Sequence, residues 1–483
     1  MFVRPKQVFL ELFQEYFNGK PREILYKWGG HPGSPTPPSP DAIYKWQRGE
    51  NGIPGEMLAE LIRIRHLDPL TADGVWNAWR AAYPRQAGTW DMRRTPTKIS
   101  PAEFKKIRTL RGKASTQQSL VEAAKAYYDG LGIQWTSVGS HFLIRVDWGI
   151  DQPLLLTHNN IIYKFSPVGP EEGLYESASP YWPDAPDGTA IVRYSDAISA
   201  HDPPKESSLW TNNVSYRLVQ VDRTSSGGFE LTVARMDYFD GYDCWAALEY
   251  ESLTRLDAGE SFAGPYRSAM GDPFDLATRN VAVGLSVLTV RRDPQLGDSY
   301  YLHLRSGEDA TLPNMFGAVP AGEFQPASKG PGAFINDLSL WKCILREYAE
   351  EMLGHPVNDP HGNAPDYDKK VTKLDSELGR GVRPYILDFG LDPVTLKAGF
   401  RIVCIIDNDV FDEVFSDMVP ITVEGEVLWS DESKPQSGKA RRGFPLTEEK
   451  VTEMLQTEGL TAAVRLLIKE TWKHREYLGL TAG

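Results

Sequence analysis

The spacing of hydrophobic and polar positions predicts helices in the first part of the chain and mixed helices and strands afterwards. In residues 1–85 the apolar side chains recur at the period of an amphipathic helix, as in Val8–Phe17. Ser39 followed by Pro40 has the residue types favoured at a helix N-cap and first turn. We therefore expect an all-α module over residues 1–85.

The two segments that follow differ from this module in composition. Residues 86–113 are rich in Arg, Lys and Thr and contain two prolines, which predicts a basic linker. Residues 114–265 begin with a helical pattern and then alternate β-branched and aromatic residues between loops, which predicts an α+β middle domain. No motif indicates its role, and the aromatic side chains between Tyr175 and Tyr250 are interpreted as core.

The C-terminal part, residues 270–483, has the order strand, strand, loop, helix, strand, strand and a closing helix. The predicted strands cover residues 281–291, 300–304, 400–406 and 423–429. The predicted helices cover residues 338–353 and, as one uninterrupted element, 448–472. This order predicts an α/β domain and makes the whole chain a multidomain protein.

Composition and charge narrow the class of protein. The 483 residues are 41% hydrophobic and 24% charged, which is typical of a globular protein, and no apolar run is long enough to span a membrane. The three cysteines are widely spaced, so we expect free thiols in a reducing, cytoplasmic environment. The net charge is −13, but residues 1–113 carry +8 and the remainder −21, which favours duplex DNA as a partner of the basic module.

A motif of DNA-binding proteins lies in this basic module. The helix that begins after Ser39 ends in Trp46-Gln47-Arg48-Gly49, and Ile53-Pro54 leads into the next helix. The pattern resembles the recognition helix of Cro-type helix-turn-helix regulators, although a longer Gly/Pro-rich segment replaces the usual short turn before it. The resemblance implies that Ile43 faces the core with Trp46, and that four side chains face a DNA groove: Asp41, Tyr44, Lys45 and Arg48. The alternative is a helical bundle used for assembly.

A second motif lies on the helix predicted over residues 338–353. Three carboxylates share one helical face behind an arginine, in the run Arg346, Glu347, Tyr348, Ala349, Glu350, Glu351. Carboxylates this close repel one another, and a hard divalent cation relieves the repulsion. The run resembles the R-E-U-x-E-E motif of the Nudix hydrolase superfamily, where U is apolar. The resemblance implies a Nudix-like α/β sandwich, in which Mg²⁺ or Mn²⁺ assists the attack of water on a phosphoanhydride. It also implies metal ligands at Glu347, Glu350 and Glu351 and a catalytic, loop-orienting role for Arg346.

The flanking segments extend this resemblance and also depart from it. Pro320-Ala321-Gly322-Glu323 resembles the turn that precedes the Nudix helix, and two later acidic residues precede a tryptophan as in the family. Ligand or loop contacts are therefore implied at Gly322, Glu323, Glu424 and Glu426. However, the position of the family's earlier Glu falls on Leu338, and a loop that starts at Gly322 is ten residues longer than the family's. These departures leave open ligand binding without hydrolysis.

Two functions follow from these motifs, and they do not exclude each other. In the first, the protein is a DNA-binding transcriptional regulator that acts as a homodimer, and its Nudix-like domain binds a nucleotide-type small molecule with a divalent metal. In the second, it is a metal-dependent pyrophosphohydrolase of nucleoside-diphosphate compounds, and the helical module serves assembly. The order of basic module, linker and ligand domain favours the first.

Overall fold

The computed structural model divides into two compact units. The first comprises residues 1–98, 126–132 and 259–261, and the second comprises residues 99–125, 133–258 and 262–483. Within them the structure describes residues 5–17, 24, 37–54, 57–58, 61–62, 69–83, 99–133, 142–157, 159–167, 181–204, 210–305, 314–330, 332–355, 369–422, 425–429 and 439–481.

The first unit is built from amphipathic helices. Its described elements over residues 1–98 are α1 (Pro5–Phe17), α2 (Pro40–Gln47) and α3 (Pro69–Ala82). The prediction that Ser39 caps α2 is confirmed, because its hydroxyl accepts the Ala42 N–H. Ile43 and Trp46 are buried, as their helical spacing predicts. The core also includes the Trp79 indole, which donates to the Ile53 carbonyl at 2.9 Å.

The second unit mixes helices and strands. The helices of its described part are α4 (Pro101–Thr109), α5 (Ala114–Gly130), α6 (Tyr194–His201), α7 (Tyr238–Asp257), α8 (Pro265–Ala269), α9 (Ala333–Asn336), α10 (Leu340–Glu351), α11 (Lys369–Ser376), α12 (Asn408–Phe415), α13 (Glu448–Gln456) and α14 (Ala462–Lys473). The last residues of α5 are grouped with the first unit. The strands are β1 (Leu154–Leu155), β2 (Ile161–Phe165), β3 (Val214–Arg223), β4 (Phe229–Asp237), β5 (Val283–Arg292), β6 (Ser299–Tyr300), β7 (Leu302–Arg305), β8 (Phe316–Ala318), β9 (Ala321–Glu323), β10 (Val382–Leu391), β11 (Ala398–Asp407), β12 (Ile421–Thr422), β13 (Gly425–Leu428) and β14 (Phe444–Pro445).

The largest sheet organises this unit. Its strand order is β1-β10-β11-β5-β6-β14, and the short strand β9 pairs antiparallel with β5. The central strands β5 and β11 run parallel to each other and are rich in Val, Ile and Leu, which suits strands covered on both faces. Helix α14 packs on this sheet, and its Leu467 and Ile468 join Leu288 and Val403 in one hydrophobic core.

One predicted element is wrong, and one strand was not predicted. The closing helix is two helices, α13 and α14, because Gly459 adopts a φ of +81° between them and Thr461 caps the second. The strand β10 was not predicted, because Pro384 and Asp388 interrupt its apolar pattern.

The segments predicted as a middle domain and as a C-terminal domain lie together in the second unit. Strand β1 pairs with β10, and the Leu218 N–H donates to the Val281 carbonyl at 2.9 Å. The boundary predicted near residue 265 therefore does not separate two compact units. The predicted linker 86–113 contains α4, which Ser100 caps, and its residues 86–98 lie outside the described part of the chain.

The described residues thus form a mixed α+β protein with more than one compact unit. Among them, no helix combines the length and the apolar character that a bilayer crossing demands.

Candidate functional site

The second unit contains a cavity of about 830 Å³, a volume typical of small-molecule sites. Its walls come from segments that are far apart in the sequence. Acidic side chains on the wall are Glu122, Glu249, Glu323, Glu347, Glu350, Asp392 and Glu458, and basic ones are Arg111, Arg305, Lys397, Arg401 and Arg465. Trp245 and Phe400 add aromatic surface. This wall is suited to a ligand that has both charged and apolar parts.

Helix α10 brings part of the predicted catalytic run to the cavity. The helix begins after Ser339, whose hydroxyl accepts the Lys342 N–H, and it buries an apolar face that includes Trp341 and Ile344. Its last turns carry the predicted arginine and glutamates. Glu347 and Glu350 line the cavity although each is less than one-tenth exposed.

Arg346 connects this helix to the segment that follows β9. Its guanidinium donates to the Gln325 carbonyl at 2.8 Å and to the Glu323 carbonyl at 3.4 Å. It also donates to Glu347 Oε1 at 2.8 Å, and its Nε lies 3.7 Å from Glu350 Oε1. The guanidinium of Arg346 therefore balances two carboxylates and binds the chain at the end of β9 and just after it; its catalytic role stays a prediction.

Gly322 of β9 lies directly against the Glu347 carboxyl group. A β carbon at position 322 would stand 2.3–2.5 Å from the carboxyl atoms of Glu347, which is closer than real contacts allow. The pairing of Gly322 with Leu285 of β5 holds it there. Burial raises the pKa of Glu347 above its ordinary value, and the charge of Arg346 opposes that rise.

Glu323, which follows Gly322, is held by two segments that the sequence did not connect with it. The Ser215 hydroxyl of β3 donates to Oε1 at 2.8 Å, and Lys397 Nζ donates to Oε2 at 2.9 Å. Ser215 belongs to the predicted middle domain, and Lys397 directly precedes β11. The residues around the cavity are therefore supplied by both predicted domains.

Two other predicted site residues, Glu351 and Glu426, are not among the described residues of the cavity wall. Glu351 is buried, its Oε1 accepts the Ala321 N–H at 2.8 Å, and its Oε2 lies 3.3 Å from His303 Nδ1. It is not among the described residues of the cavity wall, because one further helical position turns its side chain about 100° away from that of Glu350. Glu426 is exposed on β13, and Glu424 lies outside the described residues.

Glu347 and Glu350 fit a magnesium-type cation. Mg²⁺ usually keeps several waters and binds one or two carboxylates together with ligand phosphates, so it does not need a complete cage of side chains. The described residues contain no group of three or more His, Cys, Asp or Glu side chains arranged to hold a metal, so the predicted set of three carboxylate ligands is not found among them. Glu347 and Glu350 are the residues that would hold such a cation, and the cation would offset the negative charge of ligand phosphates. Its binding stays a prediction.

The four predicted DNA-contacting residues lie on or next to α2. Tyr44 is 46% exposed, and Lys45 forms a 2.7 Å ion pair with Asp41. Arg48, one residue after α2, pairs with Glu50 at 2.5 Å. All four side chains are at least partly exposed, so the structure leaves this face of α2 accessible.

Several side chains of the cavity had no signal in the sequence. Lys397 and Ser215 belong to no motif, and Trp245 lies among aromatic residues that were interpreted as core. Each is more than seventy residues from Glu323, so no local spacing could connect them to it. A comparison with models of known families and with curated proteins found no match for this chain. Function is therefore inferred from the side chains and distances given above.

The contact between Gly322 and Glu347 predicts that Gly322→Ala destabilises the protein. The added methyl group must displace the Glu347 carboxyl group, which we expect to lower the free energy of unfolding by about 1–3 kcal/mol. The control is Gly284→Ala on the adjacent strand, where the nearest atom outside the chain neighbours is Lys397 Cε at 3.6 Å. Urea denaturation of both variants measures the difference, and equal losses would contradict the crowding explanation.

Proposed function

We propose that this protein is a DNA-binding transcriptional regulator whose cavity binds a nucleotide-type ligand together with a divalent cation. The observation that carries the proposal is the composition of the cavity wall, where Glu347 and Glu350 lie on the same surface as Lys397 and several arginines. Phosphate groups require positively charged partners. Lysine and arginine side chains supply some of that charge, and a divalent cation bound by the carboxylates would supply the rest. The apolar part of the wall suits the remainder of such a ligand.

The exposed face of α2 supports the DNA-binding half of the proposal. The partners of Lys45 and Arg48 are exposed acidic side chains, and exposed ion pairs contribute little to stability because water screens them. If Lys45 and Arg48 left Asp41 and Glu50 to bind DNA phosphates or base edges, the loss of these ion pairs would therefore cost little free energy. The excess of positive charge in residues 1–113 would favour the approach of DNA.

The second candidate function is metal-dependent hydrolysis of nucleoside-diphosphate compounds. It is favoured by the pair Glu347 and Glu350 at the cavity, because carboxylates beside a cation can also orient or activate water. The contacts of Glu351 with Ala321 and His303 leave fewer carboxylates at the cavity than the resemblance implied.

Cation binding is tested by titration calorimetry of the whole protein with Mn²⁺. We expect Glu350→Gln to weaken binding at least tenfold, or about 1.4 kcal/mol, because it removes one of two charged ligands from a buried wall. The control is Glu458→Gln, which removes an exposed charge from the same cavity. Unchanged affinity in Glu350→Gln, or equal weakening in both variants, would remove the cation from the proposal.

The two functions are separated by product analysis with Mg²⁺. Nucleoside-diphosphate sugars, dinucleotides and nucleoside triphosphates are incubated with the protein, and the release of nucleoside monophosphate or pyrophosphate is followed by chromatography. If the protein is a hydrolase, the wild type releases product and Glu350→Gln does not. The circular dichroism spectrum of the variant should equal that of the wild type, which shows that the variant is folded. Binding without turnover in all three classes is the result expected for the regulator.

DNA binding is tested with the whole protein by fluorescence anisotropy on a random duplex, followed by selection of preferred sites. We expect Kd to rise steeply with salt because phosphate contacts release counterions. Arg48→Ala and Lys45→Ala should each weaken binding to the selected site by about 1–3 kcal/mol if they contact bases. Lys450→Ala, which removes another exposed lysine from an ion pair, is the control. The absence of binding at low salt and micromolar protein would refute the regulator.

A further inference from the structure

One arginine on the cavity wall differs from other basic side chains there in its partners. Three of those side chains form ion pairs with carboxylates, namely Arg111 with Glu249, Lys397 with Glu323 and Arg401 with Asp388. Arg465 of α14 lines the same cavity, and among the described residues no carboxylate forms an ion pair with it. Its positive charge is therefore not balanced by a described side chain.

The guanidinium of Arg465 is held in the turn between α13 and α14. Its Nη1 donates to the Leu455 carbonyl, and its Nη2 donates to the Thr457 carbonyl at 2.8 Å. Glu458 and Gly459, which follow Thr457, line the cavity, so these hydrogen bonds hold the guanidinium in a segment that forms the cavity wall.

This guanidinium also keeps donors that a ligand can reach. It has five N–H groups and donates two of them to the carbonyls, so three are left for other acceptors. Arg465 is partly exposed, and its unused Nε is not among the donors of the described residues that are both unpaired and closed off from solvent. A hydrogen-bond acceptor in the cavity therefore has access to it.

A second arginine lies beside the same turn. The Phe316 N–H of β8 donates to the Gly459 carbonyl at 2.9 Å. At the next residue, a β carbon on Gly317 would stand 3.4–3.5 Å from the Arg305 side chain. Arg305 and Gly317 line the cavity as well. The side chain of Arg305 and the turn that holds Arg465 thus contact adjacent residues of β8.

The pair of arginines lies on the same wall as the carboxylates of α10. Gly322 of β9, which lies against Glu347, follows Gly317 by five positions, so the two glycine Cα atoms are at most about 18 Å apart. A phosphate group has up to two negative charges and several acceptor oxygens, and the planar fork of an arginine binds two such oxygens at once. Phosphate therefore suits two neighbouring arginines better than a singly charged carboxylate does.

We propose that Arg465, together with Arg305, binds a phosphate group of the cavity's ligand directly and without the divalent cation. This inference rests on the proposed function, which supplies a phosphorylated ligand. It adds a subsite at the turn between α13 and α14, separate from the carboxylates Glu347 and Glu350 that would hold the cation. It also predicts that part of the phosphate affinity remains when divalent metal is removed.

The test is calorimetric titration of the whole protein with pyrophosphate, once in EDTA and once in Mg²⁺. In EDTA the wild type should bind pyrophosphate, and Arg465→Gln should weaken this binding at least tenfold, because glutamine has no charge and fewer donors. Arg305→Gln should weaken it severalfold, and it keeps the test valid if Arg465→Gln does not fold.

Arg442→Gln is the matched control. Arg442 also donates to two backbone carbonyls, those of Leu296 and Gly297 at 2.6 and 2.8 Å, and it is not among the described residues of the cavity wall. Arg442→Gln and Arg465→Gln should both lower the melting temperature in differential scanning calorimetry, because both remove hydrogen bonds to carbonyls. Only Arg465→Gln should lose affinity for pyrophosphate.

The outcomes separate this inference from the proposed function. Unchanged affinity in both Arg465→Gln and Arg305→Gln, or equal weakening in Arg465→Gln and Arg442→Gln, overturns the phosphate subsite. If the wild type binds pyrophosphate in Mg²⁺ but not in EDTA, the cation accounts for binding, so the proposed function stands and this inference fails. If the wild type binds pyrophosphate in neither condition, both fail.

Discussion

The buried guanidinium of Arg346 is the interaction on which the cavity depends. It binds the backbone carbonyls of Glu323, the last residue of β9, and of Gln325, and it balances Glu347 and Glu350 at the same time. Charges removed from water are tolerated only when they are paired and hydrogen-bonded, and the loss of one partner from such a group costs about 3–5 kcal/mol. The carboxylates therefore remain beside the cavity because Arg346 is there, and the chain after β9 is held in place for the same reason.

This arrangement explains how charged side chains come to lie on the cavity wall beside a hydrophobic core. The two central strands form a hydrophobic platform, and β9 attaches to its edge through β5. At that point Gly322 lets helix α10 approach closely, while Ser215 and Lys397 bind the Glu323 carboxylate from two other strands or loops. Each of these contacts gives a buried polar group a hydrogen-bond partner that it would otherwise lack. The positions of the charged side chains on the wall therefore follow from these hydrogen bonds.

The charged groups around Arg346 and those on α2 differ in their exposure to water. Around Arg346 the charged side chains are buried, and their positions are set by the ion pairs and hydrogen bonds that they form with one another. On α2 the ion pairs of Lys45 and Arg48 are open to water, where screening makes them weak and exchangeable. The buried charges around Arg346 hold α10 and β9 in place. The exposed side chains of Lys45 and Arg48 can exchange their present partners for those of another molecule. We therefore propose the small-molecule ligand for the cavity beside Glu347 and Glu350, and duplex DNA for the exposed face of α2.

The sequence by itself determined the local features. Ser39 as a cap, Ile43 and Trp46 as core, the helix that carries Arg346 and the central strand over residues 281–291 all follow from residue types and spacing within one element. Only the tertiary structure decided which residues meet at the cavity. Glu350 and Glu351 are adjacent in the sequence, yet one lines the cavity and the other binds Ala321, since their orientation depends on what α10 packs against. Trp245, Ser215 and Lys397 reach the same cavity from segments more than seventy residues from Glu323, and such contacts follow from the pairing of distant strands and helices, which leaves no periodic trace in the sequence.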